Sequence, residues 1–270
     1  MRTTADLDLA RALEGAETET CRAFCEAAAR VHPELVIRVM PCAGGVCTLY
    51  GPGDPLNAVK GVGLNGPVDP GEWDEVESLF RRNASAVVID LCPLADPAFV
   101  ALLCDRGYRI GSFETVTFRR LTGTDLPEPR SLSDCRITPA TEFAAWGSLV
   151  ASAFADGGEP VPMAVDMGRV RAALTGSYAL VATFDGVPAG GAAMSVHGTV
   201  AHFAGGAVLP EFRRRGVQAA LTAARLRLAM DLGSTLVKMD VLAGSASHRN
   251  ATRAGFEVAY TRPQLVRAWA

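Results

Sequence analysis

The sequence predicts an α/β protein of two tandem mixed-sheet units flanked by helices, and three observations carry that expectation. Strand-like apolar runs alternate with segments of helical periodicity along the chain. One order of elements occurs twice: a strand ending in Asp, a loop and helix, a Gly-aromatic pair, and another strand. It runs from Ser85 through Asp90 and Gly107-Tyr108 to Phe118, and again from Ser234 through Asp240 and Gly255-Phe256 to Thr261. Finally, 270 residues at 49% hydrophobic composition supply length and apolar material for two cores.

The first half opens its strands at Val36 to Met40, turns at Gly44-Gly45, continues over Val46 to Tyr50, turns again at Pro52-Gly53-Asp54-Pro55, and resumes at Val59 to Leu64. Asp69-Pro70-Gly71-Glu72-Trp73 then reads as a capped helix start whose acids suit the helix dipole. Thr122 to Ser133, rich in Pro, Asp, Glu and Ser, marks the junction. The expected division is a domain over 1–125, a linker over 126–134 and a domain over 135–270.

In the second half, Ala179 to Phe184 and Ala189 to Val196 flank Asp185-Gly186, a strong hairpin signal. An uncharged strand from Thr199 leads to Val208, then to Arg213-Arg214-Arg215-Gly216, and then to apolar residues at Val217, Leu221, Ala224, Leu228 and Leu232 with Gly233 as the stop. A helix start leaves backbone N–H groups unpartnered and carries partial positive charge, so it attracts anions. Gly216 allows close approach of a ligand, and the three arginines raise the local potential. The turn is therefore suited to a phosphate.

This order of elements resembles the GNAT superfamily of acetyl-coenzyme A dependent N-acetyltransferases, over about Cys135 to Ala270, an α+β GNAT-like fold. The family pattern Gln/Arg-x-x-Gly-x-Gly/Ala is met by Arg213 and Gly216, with Gln218 standing at the second glycine position. The resemblance implies that acetyl-coenzyme A is the co-substrate. Backbone amides from Arg214 through Arg215, Gly216, Val217 and Gln218 to Ala219 would hold its pyrophosphate, and the strand end near Val208 its pantetheine arm. It also makes the first half a degenerate copy, whose acidic helix start at Asp69 to Glu77 repels a pyrophosphate.

Acetyl transfer needs a base for the amine proton, donors for the developing oxyanion and an acid for the departing thiolate. His202 falls where many family members resemble one another in carrying a glutamate base; a histidine held inside the sheet is the other reading. Ala251 stands near the position of the family's tyrosine acid. Tyr260 is the first substitute, with Ser247 and His248 behind it, and a buried strand tyrosine is the plainer alternative. Ser245, Ser247 and Asn250 either contact the pantetheine arm or cap the helix. Between the first helices, Asp156 and Glu159 can attract a cationic amine and Phe154 and Met163 its apolar part, unless this is a solvated loop.

The remaining composition narrows the class. A net charge of −3 argues against a general nucleic-acid binder. No run of eighteen apolar residues and no apolar leader is evident, so a soluble cytoplasmic protein with no membrane partner is expected. Seven cysteines without paired spacing read as free thiols, with no metal site. The expected activity is transfer of acetyl to a primary amine of a small molecule or peptide by a monomer or homodimer. The alternatives are a non-catalytic coenzyme A-binding regulatory module, and transfer of a larger acyl or aminoacyl group.

Overall fold

In the computed structural model, which describes residues 5–269 apart from 123–133, 157 and 161, the chain folds as a mixed α/β protein of two compact units. The first comprises Met1–Val116, Val241–Ala243 and Val258–Ala270, and the second Thr117–Asp240 and Gly244–Glu257. Most of the expected linker lies outside the described residues. The units also divide the chain differently from the expected domains: the C-terminal strand belongs to the first unit, not the second, and the first unit ends at Val116 rather than 125.

The first unit begins with α1 (Leu7–Val31), whose N-cap Asp6 accepts from the Leu9 amide at 2.8 Å. Strands β1 (Arg38–Cys42), β2 (Gly45–Leu49) and β3 (Ala58–Lys60) follow, with the β1–β2 turn at Ala43-Gly44, one residue before the expected pair. Helix α2 (Pro70–Arg82) starts as expected, with Asp69 as cap and Pro70 at its first position. Then come β4 (Val87–Asp90), α3 (Pro97–Asp105) and β5 (Arg109–Arg120). The last strand, β11 (Glu257–Arg267), pairs antiparallel with β4, and the strand order is β1-β2-β3-β4-β11-β5. The core is Trp73, Val76, Phe80, Ile89, Phe99, Leu103 and Leu265. Trp73 meets Phe99 edge-on at 4.9 Å, a geometry aromatic quadrupoles favour.

The second unit holds β6 (Cys135–Pro139), α4 (Phe143–Phe154), α5 (Pro162–Ala172), β7 (Ser177–Phe184), β8 (Val187–His197), β9 (Val200–Val208), α6 (Val217–Asp231), β10 (Leu236–Val241) and α7 (Ala246–Arg253). Its strands run in the order β10-β9-β8-β7-β6, with β9 and β10 parallel and β7 to β9 an antiparallel meander. Asp185 and Gly186 both take positive φ, the tight turn that the dipeptide signals. The two element plans do recur, as β4-α3-β5 and β10-α7-β11.

Candidate anion-binding turn and strand opening

The candidate site grows from two local features of the second unit. The first is the strand-to-helix passage. After β9 a short 3₁₀ turn over Pro210–Phe212 leads to Arg214 at φ 63° and Gly216 at φ 85°. Gly216 is the N-cap of α6 and no side chain caps the helix. Ala220 is the first residue to donate to a helical carbonyl, that of Gly216 at 3.0 Å, so the amides of Val217, Gln218 and Ala219 are the helix-start donors that look for an acceptor outside it. Gly216 and Ala219 are exposed, as are Arg214 and Arg215. Arg215 lies over the Phe184 ring at 5.3 Å.

The second feature is an opening between parallel strands. β9 pairs with β10 from Val200↔Leu236 to Phe203↔Met239 and no further, while β9 itself runs on to Val208. On its other side the register with β8 shifts between Gly191 and Ala193, opposite Gly205 at φ 60°. That bulge bends β9 away from its parallel neighbour. The released strand edge adjoins the turn that opens α6.

Other expected members are placed differently. Arg213 is committed to structure: Nε donates to Val208 O at 3.1 Å, Nη2 to Ala153 O at 3.1 Å, and Nη1 pairs with Asp156. Its amide donates to Pro210 O. Arg213 thus ties the turn to the end of α4 and engages the Val208 carbonyl and Asp156. Ser245 is the N-cap of α7, accepting from His248 N at 3.0 Å. Asn250 Oδ1 accepts from Arg253 at 2.7 Å, and Ser247 is exposed. Phe154 is 60% exposed and Glu159 is exposed as well. The side chain of Met163 lies outside the description.

His202 is buried on β9 beside Ser195 of β8 and Lys238 of β10. Its Nε2 is 3.5 Å from Asp240 Oδ2, which also accepts from Lys238 Nζ at 2.8 Å. It directly precedes Phe203, the last β9 residue in register with β10. A carboxylate at this distance orients an imidazole. His248 Nδ1 accepts from Gly244 N at 3.1 Å, so the neutral ring carries its proton on Nε2.

Tyr260 belongs to the first unit and His202 to the second. Its hydroxyl donates to Glu14 Oε1 at 2.7 Å inside a buried network in which Arg262 holds Glu14 and Glu17, each at 2.7 Å. Lys60 bridges Glu17 and Asp90. Burial and the Glu14 charge push the phenol far above its ordinary range. A phenol held that way is a poor proton source for a thiolate, which removes Tyr260 as the acid. No local signal marks this, because Glu14 and Glu17 are polar residues on the buried face of a helix far off in the chain.

The corresponding helix start of the first unit is closed by its own acids. Asp69 Oδ1 accepts from the amides of Gly71 and Glu72 at 2.7 and 3.0 Å. Glu72 Oε1 accepts from Ala43 N at 2.7 Å. An anion is excluded there both by charge and by lack of free donors.

Fold and site together define a class: a mixed-sheet domain whose central parallel strands part beside an uncapped helix start. The comparisons specify it. Residues 145–256 match the model of the acetyltransferase (GNAT) family. A GCN5-related N-acetyltransferase from Kribbella flavida is similar over 92% of this chain and 96% of its own, at 20% identity and TM-score 0.63. A tandem GNAT protein from the clavulanic acid biosynthesis pathway is similar over 97% and 94%, at 16% identity and TM-score 0.62. A GCN5-related N-acetyltransferase from Sphaerobacter thermophilus is similar over 78% and 71%, at 16% identity and TM-score 0.57. Identities this low carry the fold. No curated protein sequence matches the chain. Among the described residues no helix is long and apolar enough to cross a membrane.

Proposed function

We propose that the protein is an N-acyltransferase that moves acetyl from acetyl-coenzyme A to a primary amine of a small molecule or peptide. The observation that carries this reading is the uncapped start of α6 beside the parting of β9 from β10. The amides of Val217 to Ala219, with Arg214 and Arg215 beside them, hold the diphosphate of coenzyme A, and the released β9 edge takes the amides of the pantetheine arm. The bound thioester supplies an acyl carbon already activated toward amines.

His202, oriented by Asp240, takes the proton of the incoming ammonium group so that a neutral amine attacks. With Tyr260 withdrawn, His248 Nε2 and the exposed Ser247 hydroxyl are the side-chain donors near the start of α7 for the departing sulfur. The acceptor enters past the loop between α4 and α5, where Glu159 is the carboxylate not engaged by Arg213.

Calorimetric titration of the full chain with acetyl-coenzyme A, alongside Gly216→Glu, tests the donor site: equal affinities would sink it. A second reading, a non-catalytic coenzyme A-binding module, is favoured by the commitment of Tyr260 to Glu14 and by Ala251 at the family's acid position. Release of coenzyme A across a panel of amines decides between them, since a binding module shows none above the buffer rate.

A further inference from the structure

Arg225 is a buried α6 side chain that the proposed chemistry leaves unused. It sits on the inward face of the helix and is only 1% exposed. Nη1 donates to Ala193 O at 3.2 Å, and the guanidinium stacks 4.3 Å from the centre of the Phe203 ring. Nε and Nη2 have no hydrogen-bond partner among the described residues. Those two nitrogens lie along one edge of the guanidinium, with parallel N–H groups spaced to grip a carboxylate in two-pronged fashion. Burial pushes the group down to about 9, so the edge stays cationic at neutral pH.

The position of that edge matters as much as its chemistry. Phe203 is the last β9 residue in register with β10, and Gly206 lies in the stretch that has parted from it. A Cβ on Gly206 would stand 3.3 Å from Arg225 Nη2 and 3.5 Å from Gln218 Nε2. The unpartnered edge therefore lies beside Gly206 on the α6 side, in the part of β9 that has left its last paired position at Phe203. A buried cation with idle donors costs folding free energy that an aliphatic side chain would not, so its presence calls for an anion that arrives later.

We propose that Arg225 receives the distal carboxylate of a dicarboxylic acyl group, malonyl or succinyl in type, carried on the coenzyme A thioester. This rests on the reading that the donor enters between β9 and β10. In the transfer the amine nitrogen forms a bond to the thioester carbonyl carbon and the carbon–sulfur bond breaks. The amine gives up one proton and the thiolate takes one, while the distal carboxylate stays ionised against Arg225. An acetyl group would leave the edge idle.

Titration calorimetry of the full chain with coenzyme A and its acetyl, malonyl and succinyl thioesters tests this. A malonyl or succinyl thioester should bind about tenfold or more tighter than acetyl, the scale of one charge-assisted bidentate contact. Arg225→Met should lose that preference and keep coenzyme A affinity. Should this variant not fold, Gly206→Ala, which crowds Nη2, should shrink the preference instead. Firm coenzyme A binding without acyl preference in the unaltered chain, or a preference that survives Arg225→Met, overturns the inference and leaves the donor site standing. Failure of every coenzyme A species to bind overturns both.

Discussion

Placing a carboxylate at position 216 separates charge from backbone strain at the proposed pyrophosphate site. Gly216 adopts φ 85°, so any side chain there carries a left-handed penalty of about 1–2 kcal/mol. Gly216→Ala carries that penalty alone. Gly216→Glu carries it too, partly offset by about 0.3–1 kcal/mol because an anion suits the helix start. Both variants should therefore unfold about 1 kcal/mol more easily in denaturant. Binding should separate them. A carboxylate about 4 Å from a bound diphosphate, near a protein surface, costs on the order of 4 kcal/mol, or about a thousandfold in affinity. The alanine variant should lose far less. The assays are urea denaturation and calorimetry with acetyl-coenzyme A. If Gly216→Glu and Gly216→Ala bound alike, the helix start would not be where the diphosphate docks.

Three further outcomes are expected. His202→Ala should lower kcat by roughly 10²–10⁴ while the calorimetric affinity for acetyl-coenzyme A holds; normal turnover would remove His202 as base. Tyr260→Phe deletes the hydroxyl that donates to Glu14 and should cost about 1–3 kcal/mol in denaturant unfolding with turnover per folded molecule retained, whereas a selective loss of kcat would restore Tyr260 as the acid. Cys21 is lowered below its ordinary thiol range, chiefly by the hydrogen bond from Cys25 and also by the Lys60 charge. A thiol lower in the folded than in the unfolded chain contributes stability that is full above about pH 8.5 and is lost as pH falls through the folded value. Mass-spectrometric mapping of iodoacetamide labelling should accordingly find Cys21 reacting below the pH at which free cysteine does, and labelling only at ordinary thiol pH would contradict it.

What could be read from the chain was local. Asp185-Gly186 makes its turn because the dipeptide tolerates positive φ at both positions, and Asp69-Pro70 starts a helix because cap and fixed φ act within one turn. Gly216 and Gly233 bracket α6 for the same kind of reason. The inward face of α6 was harder. Periodicity points to Val217, Leu221, Ala224, Leu228 and Leu232, whereas the buried set is Val217, Leu221, Thr222, Ala223, Arg225, Leu226 and Ala229. A charged residue at a core position defeats a pattern of hydrophobicity, and so Arg225 went unseen.

The sequence by itself determined the order of elements, the arginine turn, the uncapped start of α6 and the acid-closed start of α2, since each depends on neighbours within a few residues. Tertiary structure alone decided that β11 pairs with β4 in the first unit, that Tyr260 is consumed by Glu14, that Arg213 is spent on Ala153 and Asp156, and that Arg225 is buried with two nitrogens that have no hydrogen-bond partner among the described residues. Those outcomes depend on which distant groups meet. Hydrogen bonds and ion pairs formed by residues far apart in the chain leave no trace in local spacing.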